Sequence, residues 1–165
     1  RRLRVLLQEI NHAQKRLWIS SAYFSPVPIL VRGLKKAAIR GVDIRIIVSQ
    51  RSDVAFFPAL ASTYYADLLK VGIRIFEYQS GILHTKHWLL DNRVMVGSSN
   101  MNHRSVLHDV ELDVEVFSPA VLQAMEADFD GCFASSKEMT LKNVSRFSLW
   151  FVIRGHIPRL LRYWL

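Results

Sequence analysis

The segment "HTKHWLLDNRVMVGSSN", residues 84–100, places an imidazole two residues before an ammonium and ends in small hydrogen-bonding side chains. Because side chains alternate faces along a β-strand, His84 and Lys86 are expected to project from the same face. An imidazole beside a fixed cation is suited to a phosphate group: the lysine neutralises its oxygens while the histidine attacks phosphorus or transfers a proton. Ser98 and Asn100 can donate further hydrogen bonds to the same group. The segment therefore predicts a phosphate site.

Two other polar residues of this segment are expected to point elsewhere. Asp91 lies seven residues after His84, an odd separation that turns it away from the face of His84 and Lys86. It also lies in a turn, where aspartate caps backbone groups well, so a structural role is favoured over a catalytic one. His87 faces the other side as well. A metal site made from His84, His87 and Asp91 would have diverging ligands, and we expect neither metal nor cofactor.

The sequence on either side predicts an α/β fold. Upstream, helical and alternating apolar patterns follow one another as "LRVLLQEINHA", "RLWISSAYF", "PVPILVRGLKKAAIRG", "VDIRIIVS", "AFFPALASTYYADLLKVG" and "IRIFEY". Downstream, "HTKHWLLD", "RVMVG" and "VELDVEVF" are expected to be strands, and "SPAVLQAMEADFDGCF" an amphipathic helix with a Ser N-cap. This order predicts a mixed, largely parallel β-sheet flanked by helices on both faces.

Composition narrows the class of partner. The 165 residues suffice for one globular domain, and a net charge of +8 predicts attraction to nucleic acid, anionic lipid or phosphorylated small molecules. A single cysteine excludes an intrachain disulfide, and no apolar run reaches the roughly 18 to 20 residues of a membrane-spanning helix. The first residue is Arg rather than Met, so we expect a fragment of a longer protein.

The last part of the chain differs from the rest, and we divide the sequence into a catalytic domain, 1–138, and a C-terminal segment, 139–165. This segment contains no acidic residue and mixes basic with aromatic side chains: Lys142, Arg146, Phe147, Trp150, Phe151, Arg154, Arg159, Arg162, Tyr163 and Trp164. Such a composition is typical of a helix at a membrane surface. An ordinary C-terminal helix that packs its apolar side on the core or on a partner domain remains the alternative.

The motif "HTK", four residues, Asp91, "NRVMV" and "GSSN" resembles the HKD signature of the phospholipase D superfamily. "ISSAYFSP", "GVDIRIIVSQRSD", "YYADLLKVGIRIFEYQSGILHTK" and "VELDVEVF" are similar to the second half of bacterial cardiolipin synthases. One departure is that five residues, where the family usually has six, separate Asp91 from Gly97. This shortens the turn and leaves the motif residues in their strands.

The resemblance implies roles for individual residues. His84, Lys86, Asp91 and Glu111 would form the catalytic set, with His84 as the nucleophile or its partner acid and base. Lys86, Ser98 and Asn100 would hold the phosphate oxygens, with weaker support from Arg104. Glu111 could accept a hydrogen bond from Nδ1 of the imidazole, although a solvated strand residue would fit its position equally well.

The same resemblance implies a phosphatidyltransferase that forms a phosphohistidine, bound peripherally on the cytoplasmic side of the bacterial inner membrane. Its expected partners are a phospholipid substrate, an anionic membrane surface and a second HKD motif. Since the chain contains a single "HxK", that second motif is expected from an N-terminal half or from a second copy of the chain. A homodimeric phosphodiesterase acting on nucleic acid is the less favoured alternative, and a lipid-binding module without activity is the third.

Overall fold

The computed structural model describes residues 2–160, without the side chains of residues 149, 158 and 160. Within these residues seven strands form one sheet in the order β6-β5-β4-β1-β2-β3-β7. The strands are β1 (Arg16–Ser21), β2 (Asp43–Arg51), β3 (Arg74–Ile82), β4 (Lys86–Leu90), β5 (Arg93–Gly97), β6 (Asp113–Val116) and β7 (Ser136–Glu138). The helices are α1 (Arg2–His12), α2 (Pro28–Ile39), α3 (Phe57–Ser62), α4 (Tyr65–Leu69), α5 (His103–Leu107), α6 (Pro119–Ala134), α7 (Leu141–Val144) and α8 (Leu149–Leu160).

The mixed sheet is confirmed, but its parallel part is smaller than predicted. β1 pairs in parallel with β2 and β2 with β3, whereas the other four of the six pairings are antiparallel. A parallel neighbour requires a crossover of about a dozen residues or more. Only two residues separate β4 from β5, so these strands form a hairpin instead. "Largely parallel" is therefore correct only for β1, β2 and β3.

Helices cover both faces of the sheet, as predicted. Alternation along β1 directs Leu17 and Ile19 to a core under α1–α4, whereas Trp18 points to a second core under α6. On the α6 side the rings of Phe129 and Phe133 pack edge-on against Trp18, at centroid distances of 5.7 and 5.4 Å. The sheet is thus the middle layer of three.

Helix ends follow the sequence with one exception. Pro28 begins α2, the left-handed Gly41 follows its end, and the Ser118 side chain accepts from the Val121 N–H at the start of α6. "AFFPALASTYYADLLKVG", however, forms two short helices rather than one. The hydroxyls of Ser62 and Thr63 donate to the carbonyls of residues 59 and 60, both at 2.7 Å, and such bonds compete with a continuous helix.

The site lies at one edge of the sheet. β1 and β5 run in the same direction and both run opposite to β4, so the C-terminal ends of β1 and β5 and the first residue of β4 lie at this edge. The segment after β1 is joined there to the segment after β5, because the Ser25 N–H donates to the Met101 carbonyl at 2.8 Å. Residues distant in sequence therefore lie at the edge where Lys86 begins β4.

The C-terminal segment forms α7 and α8, and α8 packs on α3. Within residues 2–160, no helix combines the length and the apolar character that crossing a bilayer requires. Arg162, Tyr163 and Trp164 of the predicted basic and aromatic segment lie outside the described residues.

Candidate active site

The imidazole of His84 and the ammonium of Lys86 lie side by side. Lys86 Nζ is 3.2 Å from Nδ1 and 3.4 Å from Nε2 of His84, and it donates to the His84 carbonyl at 2.8 Å. His84 is exposed to solvent. The strand was expected to include His84 but begins at Lys86, so His84 belongs to the link between β3 and β4. The two side chains can therefore contact one ligand together.

Lys86 is half-buried, and opposing influences act on the pKa of its ammonium. Burial lowers the pKa of its ammonium, while the carboxylates of Glu111 and Asp53 act in the other direction; the net effect is a pKa below the ordinary value. The two carboxylates favour the charged form, and burial strengthens its attraction for an anion because the local dielectric constant is low. Lys86 is thus placed to bind a phosphate oxygen beside His84.

Glu111 does not contact the imidazole, contrary to the hydrogen bond suggested for it. One carboxylate oxygen accepts from the Ser98 hydroxyl and the other from the Ser105 hydroxyl. Nδ1 of His84 lies against Lys86 instead. In this chain Glu111 orients two serines, and its charge raises the pKa of Lys86 against the effect of burial.

The glycine of "GSSN" is required for steric reasons. Gly97 lies directly beside Asp113 in the pairing of β5 with β6. A Cβ at this position would overlap the Asp113 carboxylate and the Leu112 carbonyl. Because the strands approach so closely, the Leu112 N–H can donate to Ser98 Oγ at 3.1 Å. Gly97 thereby allows the strand approach that holds the Ser98 hydroxyl in place.

Asn100 is held from two sides. Its side-chain oxygen accepts from the Tyr23 N–H at 3.2 Å, and its own backbone N–H donates to the Ser105 hydroxyl at 2.9 Å. With the oxygen occupied, the amide NH₂ is the free end of the side chain. Asn100 can therefore serve as a hydrogen-bond donor at this edge, and its contact with a phosphate stays a prediction.

Tyr23 and its neighbours belong to the site but were not among the predicted residues. The Tyr23 ring packs edge-on against His84 at 5.9 Å between centroids and stacks on Phe57 at 4.5 Å. Its hydroxyl donates to both carboxylate oxygens of Asp53, at 2.8 and 2.7 Å. The aromatic residues in "SSAYFSP", at the end of a buried strand, were the available sequence signal.

A cleft lies beside Tyr23 and Asn100, next to the His84–Lys86 pair. The cleft has a volume of about 370 Å³ and is lined by Tyr23, Val54, Phe56, Phe57, Asn100, Asn102, Arg104, Ser105 and Asp109. Arg104 is exposed here, and its Nε donates to Asp109 at 3.0 Å. Arg104 is therefore near the site, but this guanidinium nitrogen is engaged by a carboxylate.

Asp91 is not brought to the site, which corrects its inclusion in the catalytic set. It follows the last residue of β4, whereas His84 precedes the first. Its carboxylate accepts backbone N–H groups of Gln14, Lys15 and Arg16 at 3.0, 2.8 and 3.0 Å. Asp91 also adopts a left-handed backbone with φ of 50°. These contacts support the structural role that its position in the turn indicated.

His87 points to the opposite face of the sheet. It is buried with its ring edge-on to Phe129 at 4.9 Å, and its Nε2 lies 3.5 Å from the Asp128 carboxylate. Burial lowers the pKa of His87, and Asp128 opposes this effect. Across residues 2–160, no group of three or more His, Cys, Asp or Glu side chains is arranged to hold a metal ion.

The fold and the His–Lys pair define a phospholipase D-like domain. Residues 6–133 match the family model described as "Cardiolipin synthase, PLD-like domain", and the chain belongs to this family. The predicted family resemblance is thus confirmed. The chain is 30% identical over 156 residues to a cardiolipin synthase of Listeria welshimeri and 31% identical to one of Staphylococcus aureus. These matches cover 94% of the chain but only 32% of each relative, so the chain spans about a third of their length.

Solved structures share the fold at lower sequence identity. Nuc of Salmonella typhimurium, a phospholipase D family member, superposes with a TM-score of 0.71 and 21% identity, over 82% of this chain and 88% of that one. The phosphatidylserine synthase of Haemophilus influenzae gives a TM-score of 0.77 and 16% identity, over 98% of this chain and 44% of that one. These likenesses confirm the α/β architecture.

Proposed function

We propose that this chain supplies one HKD half of a phosphatidyltransferase of the cardiolipin synthase type. The observation that carries the proposal is the exposed His84 imidazole with Lys86 Nζ 3.2 Å from Nδ1. A histidine nucleophile requires open access to phosphorus and a cation for the phosphate oxygens, and this pair offers both. Family membership and the cardiolipin synthase relatives support a phospholipid as substrate.

The reaction proceeds in two displacements. A ring nitrogen of His84 attacks phosphorus, a P–N bond forms, and the bond from phosphorus to the leaving alcohol breaks as a partner acid protonates that alcohol. A glycerol-like hydroxyl of the acceptor then attacks phosphorus while the same partner takes its proton. The P–N bond breaks and His84 is restored. No oxidant or reductant enters.

Three side chains hold the phosphate during both steps. Lys86 neutralises the oxygens, while Ser98 and the amide of Asn100 are the candidate hydrogen-bond donors. The Ser98 hydroxyl donates to Glu111 in the structure, so its hydrogen must turn toward the phosphate oxygen on binding. Lys86 is the main electrostatic contributor, and its removal is expected to slow the reaction about 100-fold or more.

The partner acid comes from a second HKD motif. Next to the site the chain exposes apolar residues around the edge strand β6: Val96, Leu107, Val110, Leu112, Val114 and Phe117. An exposed apolar group of this kind is typical of a surface that another domain or subunit covers. It supports a second half, in the same protein or in a second copy of the chain, that places its histidine opposite His84.

The test uses the longest natural protein that contains this chain and vesicles of phosphatidylglycerol. Wild type is expected to form cardiolipin and an acid-labile phosphohistidine on the peptide with His84, both detected by mass spectrometry. In His84→Asn both products should fall by about 1,000-fold or more, because the nucleophile itself is removed. His12→Asn, at an exposed histidine of α1, is the matched control and should retain both. Full turnover by His84→Asn would refute the proposal.

A homodimeric phosphodiesterase for nucleic acid is the second candidate, because the net charge of +8 favours binding to any polyanion with a phosphate backbone. It predicts that the isolated chain has the mass of a dimer in solution and cleaves plasmid DNA. Cleavage that disappears in His84→Asn, together with no lipid turnover, would select this candidate over the transferase.

A further inference from the structure

Helix α8 is anchored to the domain by one side. Gly155 is buried where a Cβ would overlap the Ala59 carbonyl of α3, so the two helices are in backbone contact. Arg159 donates to the Thr63 carbonyl at 3.1 Å, and its guanidinium lies 4.5 Å from the centroid of the Tyr64 ring. The alternative of an ordinary packed helix is therefore correct for this side.

The opposite side of α8 carries large apolar side chains in solvent. Trp150, Ile153 and Ile157 are 68%, 39% and 56% exposed, and Arg154 is exposed among them. At 3.6 residues per turn these four positions fall within an arc of about 100°, on the side of the helix away from Gly155. We call these four residues the outer face of α8.

The C-terminal segment that carries the outer face has basic residues and no acidic ones. From residue 139 to the end of the chain the sequence contains no aspartate or glutamate. Lys142, Arg146 and Arg154 are exposed, and their side chains form no ion pair with any residue in the range 2–160. Unpaired cations in the same segment as exposed Trp and Ile match a surface that has anionic groups above an apolar layer.

We propose that the outer face of α8 binds the surface of an anionic phospholipid bilayer. Trp150 is suited to the headgroup level, Ile153 and Ile157 enter the acyl boundary, and Arg146 and Arg154 contact lipid phosphates. A soluble protein partner would be expected to bind a face on which the charges are paired. This inference goes beyond the proposed reaction and holds whether or not His84 is a nucleophile.

The position of α8 relates this surface to the site. α8 packs on α3, and Phe57, the first residue of α3, stacks on the Tyr23 ring that contacts His84. The bilayer-binding face and the cleft are therefore attached to the same short helix. Binding through α8 would hold the cleft near the headgroups of the lipid.

The experiment measures co-sedimentation of the 165-residue chain with vesicles of phosphatidylglycerol and of phosphatidylcholine. We expect binding to the anionic vesicles only. The triple variant Trp150→Ser/Ile153→Ser/Ile157→Ser should bind at least about tenfold more weakly, because three side chains no longer enter the lipid. Arg146→Gln/Arg154→Gln should lose about fivefold per charge removed, since each basic residue near the surface contributes on that scale.

Ile39→Ser is the control, because Ile39 is an isoleucine at the end of α2 that is more exposed than Ile153 or Ile157. It should bind as wild type does, and circular dichroism should show the same thermal unfolding for all variants. Equal binding by the triple variant, equal binding to both lipids, or no binding at low salt would each overturn the inference. So would binding to duplex DNA that displaces the vesicles and survives the triple substitution.

Discussion

Replacing Asp91 by alanine is expected to destabilise the fold without removing a group from the site. The carboxylate accepts three backbone N–H groups at the start of β1, at 2.8 to 3.0 Å. A hydrogen bond to a charged group contributes about 1.5 to 3 kcal/mol, but the donors of Gln14 and Lys15 are exposed and can be rehydrated. With that discount, and with about 1 kcal/mol for alanine in a left-handed backbone, the expected loss is about 2 to 3 kcal/mol.

Urea unfolding followed by circular dichroism measures this loss, and Asp91→Asn is the matched variant. Asparagine tolerates the left-handed backbone and keeps one acceptor oxygen, so it should lose only about 1 kcal/mol. For a domain of this size, the alanine variant should melt about 5 to 10 °C below wild type. Lipid turnover per folded molecule should be unchanged in both variants. A variant that is as stable as wild type but inactive would refute the structural role of Asp91.

The same carboxylate predicts a pH effect with a defined sign. Burial by itself raises the pKa of Asp91, but the three backbone donors and Arg93 outweigh it and leave the pKa below the ordinary value of 3.8. The contribution to stability is therefore present above pH 3.8 and lost as the pH falls through the lowered pKa. Wild type and Asp91→Asn should converge in stability at acid pH. A constant difference down to the acid limit would contradict this explanation.

Two further substitutions test other parts of the fold. Gly97→Ala should cost about 1 to 3 kcal/mol because its Cβ overlaps the Asp113 carboxylate, whereas Gly131→Ala, with open space in α6, should be neutral or stabilising in the same thermal melts. Glu77→Gln tests the buried Glu77–Tyr65 pair. Burial raises the pKa of Glu77, and the Tyr65 hydrogen bond and Lys137 oppose this effect without cancelling it. The contribution of Glu77 to the free energy of unfolding is therefore full below pH 4.5 and is lost as the pH rises through the raised pKa. Urea midpoints should therefore decline for wild type relative to Glu77→Gln as the pH is raised from 4 toward neutrality, and parallel curves would contradict this.

Local patterns in the sequence were sufficient for most of the elements. Alternation of apolar residues located β1 to β6 but not the three-residue β7, and the prolines and Gly41 located the ends of α2. The placement of His84 beside Lys86 followed from their spacing of two residues, even though the strand begins later than predicted. Each of these features depends on neighbouring residues, whose geometry the backbone fixes directly.

Pairings between distant segments were not accessible in this way. The sequence alone suggested that Glu111 accepts a hydrogen bond from the imidazole, but two serine hydroxyls donate to that carboxylate. Tyr23 contacts His84, and Asp53 accepts the Tyr23 hydroxyl, only because the ends of β1 and β2 meet the start of β4 at one edge of the sheet. The spacing of those residues along the chain does not predict these contacts.

For this protein the sequence by itself determined the strand and helix periodicity, the basic character of the C-terminal segment and the His–Lys pair. Only the tertiary structure decided the strand order, the partners of Glu111, the backbone donors that Asp91 accepts and the side of α8 that faces solvent. The physical reason is that periodicity and adjacency are properties of the local backbone. Hydrogen-bond partners and exposed faces, by contrast, depend on which distant segments the folded sheet brings together.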